Sequence, residues 1–202
     1  MLAVDSSSIS PFSVRQRLVD AAVELFASHG FQAISLRDLA GHVGLHAGSL
    51  YHHIENKEGL LFELIESALS DLLVTTEHRL NDAKSPAGRL HRFVQAFVSF
   101  TLNEKDRLVL VTREFVNLNE EHKHQANRLK NNHRTLLYEI IAEECGVQDK
   151  QDVKTSLITC TIIGMLYGQL QWNEVETTEQ HLTELLTDCV WCIIASSKDD
   201  AR

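Results

Sequence analysis

Two prolines and nine glycines in 202 residues leave little material for turns, which excludes loop-rich and β-rich folds and points to an almost entirely helical chain. No run of about 18 uncharged apolar residues occurs, and no basic start followed by an apolar block opens the chain, so neither a membrane span nor a secretory leader is expected. A cytoplasmic protein with no membrane partner is the expectation. Its four cysteines then imply free thiols rather than structural disulfides. Cys189 and Cys192, a C-x-x-C on a helix with no second pair, read as core filling beside Trp191. There is no phosphate-cradling glycine loop after a strand and no G-x-S-x-G elbow. Ser49 and His52 stand three apart but lack an orienting carboxylate. No catalytic residue, cofactor or metal is assigned.

Cations are scarce too. The net charge is −9, yet residues 1–60 hold Arg15, Arg17, Arg37 and Lys57 against six carboxylates, a balance of −2, so most of the acidity (−7) lies beyond residue 60. An acidic body repels nucleic acid and helps orient a docking end. Few cations at that end mean few phosphate contacts, so useful affinity for DNA calls for two subunits on two half-sites.

What is present is a hydrophobic content of 44%, enough for a substantial core, laid out mostly at helical spacing. Residues 1–12, MLAVDSSSISPF, read as a flexible arm. Ser13 with Gln16 forms a capping box, Val14, Leu18, Ala21, Ala22, Leu25 and Phe26 form a buried stripe, and Gly30 ends that helix. Arg15 and Arg17 in its first turn are either a solvated helix end or phosphate contacts. Phe31 and Ile34 cover a small core, and Ser35 caps the next helix.

From Ser35 to Gly59 the chain reads SLRDLAGHVGLHAGSLYHHIENKEG. Leu36, Leu39, Ala40 and Val43 share a face, Gly44 supplies a turn at positive φ, and Leu45 with Leu50 restarts the apolar face. That is a helix-turn-helix over residues 13–59, with the small Ala40 where its helices cross. The outward residues of the second helix are Ala47, Gly48, Ser49, Tyr51, His52 and His53. They form a surface of small and hydrogen-bonding groups suited to a major groove.

The string Gly44 to Ile54, followed by Asn56-Lys57-Glu58 and Leu60-Leu61-Phe62, resembles the DNA-binding signature of the tetracycline-repressor (TetR-like) family. It departs from that pattern at His46, where the family usually has Ser or Thr, better helix caps than histidine. Carried over residue by residue, the resemblance implies phosphate anchoring by Lys57, Arg37, Tyr51 and His53. It implies base-edge contacts by Ser49 and His52, close approach or a thymine-methyl contact at Ala47 and Gly48, and a place for Ser35 in the DNA-facing set.

Residues 60–202 read as a helical body. Asn56 caps a long helix running to about Leu80 that both regions share, and Ser85-Pro86 is a sharp helix start. An aromatic segment follows, then a polar break at 103–106 and a short apolar run from Leu108 to Val111. Asn119 opens a helix ending near Gly146. The run Leu157 to Trp172 is apolar nearly all round, with Cys160, Gly164 and Gly168 as a small-residue stripe. The last helix, capped at Thr177 with Gln180, carries Leu186, Val190 and Ile193. Together these two helices suggest a four-helix dimer seam, or else the closure of a monomeric bundle. The resemblance implies the dimer.

It also implies a largely apolar small-molecule effector. Phe93, Phe97, Phe100, Phe115, Tyr138, Tyr167 and Trp172 are candidate walls and Arg113 a candidate anchor for an anionic group, although aromatics at helical spacing are more often core. The whole reads as an all-α, homodimeric transcriptional regulator, a repressor of a palindromic operator in double-stranded DNA. The rival readings are a helical metal-dependent enzyme using the histidine-rich surface, His122 and His124 in particular, and an interaction protein that keeps the fold without binding DNA.

Overall fold

Ser10-Pro11 places a proline where the first helix starts, and in a computed structural model describing residues 11–149, 151–172 and 177–199 that helix, α1, spans Pro11–His29. Proline is pre-organised for a first helical turn, which is why the helix begins before the expected Ser13 cap and takes in the last two residues of the expected arm. The rest of that arm, residues 1–10, lies outside the described residues. There follow α2 (Leu36–His42), α3 (Ala47–Leu50), α4 (Lys57–Leu80), α5 (Pro86–Asn103) and α6 (Lys105–Val109). A π-helical turn, Leu110–Glu114, and a 3-10 turn, Phe115–Asn117, lead into α7 (Glu120–Cys145), α8 (Val153–Trp172) and α9 (Glu179–Asp199). No strand occurs among the described residues. Among them, no helix is long and apolar enough to cross a membrane.

Helix starts follow side-chain chemistry. Asn56 accepts from the Gly59 amide at 2.7 Å, Ser85 from Gly88 at 3.1 Å with Pro86 in the first turn, and Asn119 from His122 at 2.9 Å. The cap of α9 is Thr178, one residue past the expected Thr177, its hydroxyl accepting from the His181 amide at 3.2 Å.

Burial makes one continuous core. Leu18, Ala22, Phe26, Phe31, Leu39 and Leu50 close the N-terminal head, and Leu60, Leu61, Leu64 and Ile65 of α4 belong to the same cluster. Leu69, Leu72 and Leu80 carry α4 on into the body, where it packs on α5 and α7 while α9 covers α5. The helix runs through residues 59 and 60 without a break, so head and body share a rod.

The unexpected element is the widened turn at 110–114. The Thr112 hydroxyl back-bonds the Leu108 and Val109 carbonyls at 3.1 Å each, as threonines do elsewhere in these helices. The next two residues, Arg113 and Glu114, lie against the end of α1.

Candidate nucleic-acid interface and effector cavity

The turn between α2 and α3 is built as its spacing suggests. Gly44 has φ +71°, and the Leu45 amide donates to the Ala40 carbonyl at 2.8 Å while the Gly44 amide donates to Gly41 at 3.2 Å. This doubled closure needs a left-handed residue at position 44, which glycine adopts without steric cost. Ala40 and Leu50 are buried where the helices meet. Arg17 donates to the Val43 carbonyl, so its guanidinium caps the end of α2. Arg15 pairs with Glu63 of α4. Both guanidiniums are thus bonded within the protein, which is neither the solvated helix end nor the phosphate contact open for them from the sequence.

The DNA-facing candidates divide into free and committed groups. Tyr51 is 62% exposed, His52, Gly48 and Arg37 are exposed, and Ser49 and His53 are half-buried. No hydrogen bond or ion pair engages Arg37 among the described residues. The Ala47 side chain lies outside the described residues. Ser35 is committed to the cap of α2: its hydroxyl donates to Asp38 at 2.6 Å and accepts from the Asp38 amide at 3.2 Å, and its own amide donates to the same carboxylate at 2.8 Å. These bonds hold the Asp38 carboxyl below the usual range. His46 stands at the start of α3 with no side-chain cap bond, as its ring predicts.

Lys57 is committed as well. Its ammonium donates to the Phe31 carbonyl and lies 4.1 Å from the Phe31 ring centroid. Burial pushes its pKa down, opposed in part by Asp38 and Glu114. A phosphate contact would require this ammonium to leave Phe31. Of the four cations within residues 1–60, Arg37 alone has no such commitment among the described residues.

Two of the joints between head and body are hydrogen-bonded clusters. At the first, Glu58 of α4 accepts from His122 Nδ1 at 2.8 Å and from the Asn119 amide and side chain at 3.1 Å each, and the His122 ring stacks on Phe62 at 4.0 Å. Burial alone would raise the Glu58 carboxyl, but these hydrogen bonds outweigh it and hold it low. His122 is thus occupied in a helix contact. Among the described residues no three His, Cys, Asp or Glu side chains cluster as metal ligands. At the second joint, Arg113 donates to the Phe26 and Ala27 carbonyls at the end of α1 and to Glu114 at 2.7 Å, and the buried Glu114 also accepts from Asn117 at 2.9 Å. Cations at a helix C-terminus satisfy its orphan carbonyls.

The body holds an apolar cavity of about 330 Å³ walled by Val111, Phe115, Val116 and Ile163, with Gly164 at its edge. Its polar lining is Thr112, Lys130, His133 and Tyr167. Of the expected aromatic wall, among the described residues, Phe115 and Tyr167 are in it. Phe93 and Phe97 are fully buried one layer behind, against His133 at 4.7 Å and Tyr167 at 5.0 Å, and Phe100 is core as well. Tyr138 pins the loop between α7 and α8, donating to the Asp149 carbonyl at 2.9 Å and accepting from the Asp152 amide at 3.1 Å. Arg113 faces α1 instead of the cavity, and the Trp172 side chain lies outside the described residues. Phe93, Phe97 and Phe100 fill the core, as aromatics on a helical stripe commonly do. A signal for the missed Lys130 and His133 exists in α7, where His133 sits at helical spacing from the buried Ala126, Leu137 and Ile140.

On the outer face, Cys160 and Gly164 of α8 are exposed beside Val153 and Leu157, and Gly168 is half-buried. On α9, Leu186 and Val190 point into the protein's own core and Ile193 is half-buried. The exposed stripe there is Leu185, Cys189 and Cys192, which also places the two cysteines outside the core expected for them. Both faces of α9 are apolar, so hydrophobicity alone did not separate inward from outward.

Comparison with known proteins places this geometry. A family model for bacterial regulatory proteins of the tetR family matches residues 18–64, and one for a tetracyclin repressor-like C-terminal domain matches residues 83–188. The HTH-type transcriptional repressor KstR2 of Mycolicibacterium smegmatis is 26% identical over 174 residues, which is 85% of this chain and 84% of that protein. The crystal structure of PfmR, a TetR family transcriptional regulator of Thermus thermophilus, superposes with a TM-score of 0.76 at 26% identity, covering 86% of this chain and 96% of that one. AibR, solved in complex with isovaleryl coenzyme A and operator DNA, shares the fold with a TM-score of 0.76 at 19% identity, over 86% of this chain and 96% of its own.

Proposed function

The chain belongs to the tetR family of bacterial regulatory proteins and is a DNA-binding transcriptional regulator, and from that premise we propose that it is a cytoplasmic repressor, clamping a palindromic operator as a homodimer and released by a small molecule. Two copies would join through the outer faces of α8 and α9, where Leu157 is 64% and Leu185 is 52% exposed. Solvated apolar stripes of this kind are covered in an assembly. The two α3 segments would then enter successive major grooves about 34 Å apart. Tyr51, His52 and Ser49 are the proposed contacts, Gly48 and Ala47 give close approach, and Arg37 and His53 take phosphate.

The observation that carries the effector reading is the turn at 110–114. Val111 and Thr112 line the cavity, and the very next residue, Arg113, holds the end of α1. A ligand that moves this wall pulls on the head through two carbonyls. Differential affinity for the two positions of the wall sets how far the equilibrium shifts. The division into a DNA-binding region up to residue 59 and a body from residue 60 is kept on these terms, with α4 as the shared lever.

Selection of bound sequences from random DNA tests the reading. Recovery of inverted repeats with centres about one helical turn apart is the expected outcome. Retention of scrambled and selected fragments alike, or sedimentation as a single subunit, would overturn it. Stoichiometric bound zinc or iron, with an activity lost on replacing His122 or His124, would favour a metalloenzyme, and an interaction role would predict no salt-dependent sequence preference.

A further inference from the structure

We propose that the cavity recognises a small apolar-bodied carboxylic acid, its carboxylate taken by the Lys130 ammonium and the Tyr167 hydroxyl; this rests on the effector reading above and names the ligand class for the same site. The electrostatics of the lining are one-sided. No aspartate or glutamate borders the cavity, while Lys130 does. Its ammonium lies 3.7 Å from the Phe115 ring centroid, and no carboxylate pairs with it among the described residues. A half-buried cation resting on an aromatic face instead of an anion is short of its best partner. Burial pushes its pKa down accordingly.

The hydrogen-bond inventory points the same way. Thr112 spends its donor on helix carbonyls. The Thr76 hydroxyl donates to Leu72 at 2.7 Å, so its oxygen is left to accept from His133 Nε2 at 3.2 Å. His133 is held neutral, its pKa pushed down to about 4 by burial. The Tyr167 hydroxyl forms no hydrogen bond among the described residues, and burial, pushing its pKa up to about 12, keeps it a donor. One ammonium and one hydroxyl without acceptors, in an otherwise greasy space, match the two oxygens of a monoanion. A phosphate dianion asks for more cations than the lining has. A coenzyme A thioester would place a neutral acyl end here and leave Lys130 unmatched. At about 330 Å³ the space lies at the lower end of ligand pockets, which sets the size class.

The test uses the full-length protein and matched ligands: straight-chain acids from hexanoate to decanoate and 4-phenylbutyrate, the primary amide of each, and octanoyl coenzyme A. Calorimetric titration is run on the wild type, Lys130→Met, Lys130→Arg and Tyr167→Phe, with circular dichroism confirming fold. At least one acid is expected to saturate the protein and to bind about tenfold or more tighter than its amide. Lys130→Met removes the preference, Lys130→Arg retains it, and Tyr167→Phe weakens the acid more than the amide. Equal binding of acid and amide, persistence of the preference in Lys130→Met, tighter binding of the thioester than of any acid, or no saturation by any acid at millimolar concentration would each overturn the proposal. Operator release, read by fluorescence anisotropy, separates the two layers. Charge-dependent binding without release sinks the effector reading and leaves the ligand class standing. Release by the amides or the thioester regardless of Lys130 does the reverse.

Discussion

Acid should destabilise this protein through His133 in a way that can be isolated from its other histidines. The imidazole is 3% exposed, donates to Thr76 and faces Phe93. Burial lowers its pKa from 6.5 in the unfolded chain to about 4 in the native state. Between those values the unfolded chain binds a proton that the native protein refuses. Stability from this group is therefore complete above pH 6.5, falls with pH below it, and is gone by about pH 4. A shift of roughly 2.5 units corresponds to about 3 kcal/mol, of which about 2 kcal/mol is lost by pH 5. His133→Gln keeps a donor near Thr76 and removes the titration. At pH 7.5 the variant should be less stable by about 1 kcal/mol through imperfect packing, and at pH 5 the difference should close or reverse. Urea unfolding at fixed protein concentration and ionic strength, repeated across pH 5 to 7.5, measures this, since dimer dissociation is then common to both proteins. Parallel pH profiles for the two proteins, or an imidazole resonance for His133 titrating near 6.5, would refute the reasoning.

Tyr51→Ala should weaken operator binding about tenfold while sedimentation still reports a dimer, and unchanged affinity would remove Tyr51 from the interface. Arg113→Met deletes the bonds to the Phe26 and Ala27 carbonyls and leaves buried Glu114 with Asn117. Because the guanidinium is half exposed, a loss of about 1 to 2 kcal/mol is expected, with faster amide hydrogen exchange at the end of α1 and no change in α9. Leu185→Glu places a charge on the outer stripe of α9 and should yield a folded monomer with greatly weakened operator binding, whereas a persistent dimer would move the interface elsewhere.

Whatever depends on neighbours along the chain was legible beforehand. The helical content, the caps at Ser35, Asn56, Ser85 and Asn119 and the left-handed turn at Gly44 all follow from local stereochemistry and spacing, and the structure keeps them; the family was legible through resemblance, in the residue string from Gly44 to Ile54. The start of α1 differs from the expected one by three residues, at Pro11, and the cap of α9 by one, at Thr178, where several hydroxyls stand near one helix end.

The choice among groups of equal local merit was decided only in three dimensions. Arg113 and Lys130 are both cations on helical segments of the body, yet the fold sets the first against the end of α1 and leaves the second beside the cavity. Leu186 and Leu185 are adjacent and equally apolar, and the packing of α9 against α5 and α8 determines which is core. Lys57 and Ser35 look like surface donors until Phe31 and Asp38 claim them. Chain order specifies where helices begin and which faces are oily, because those are short-range matters of backbone and side-chain geometry. Which oily face is covered, and which charge goes without a partner, depends on contacts made by residues far apart in the chain, and only the packed structure settles those.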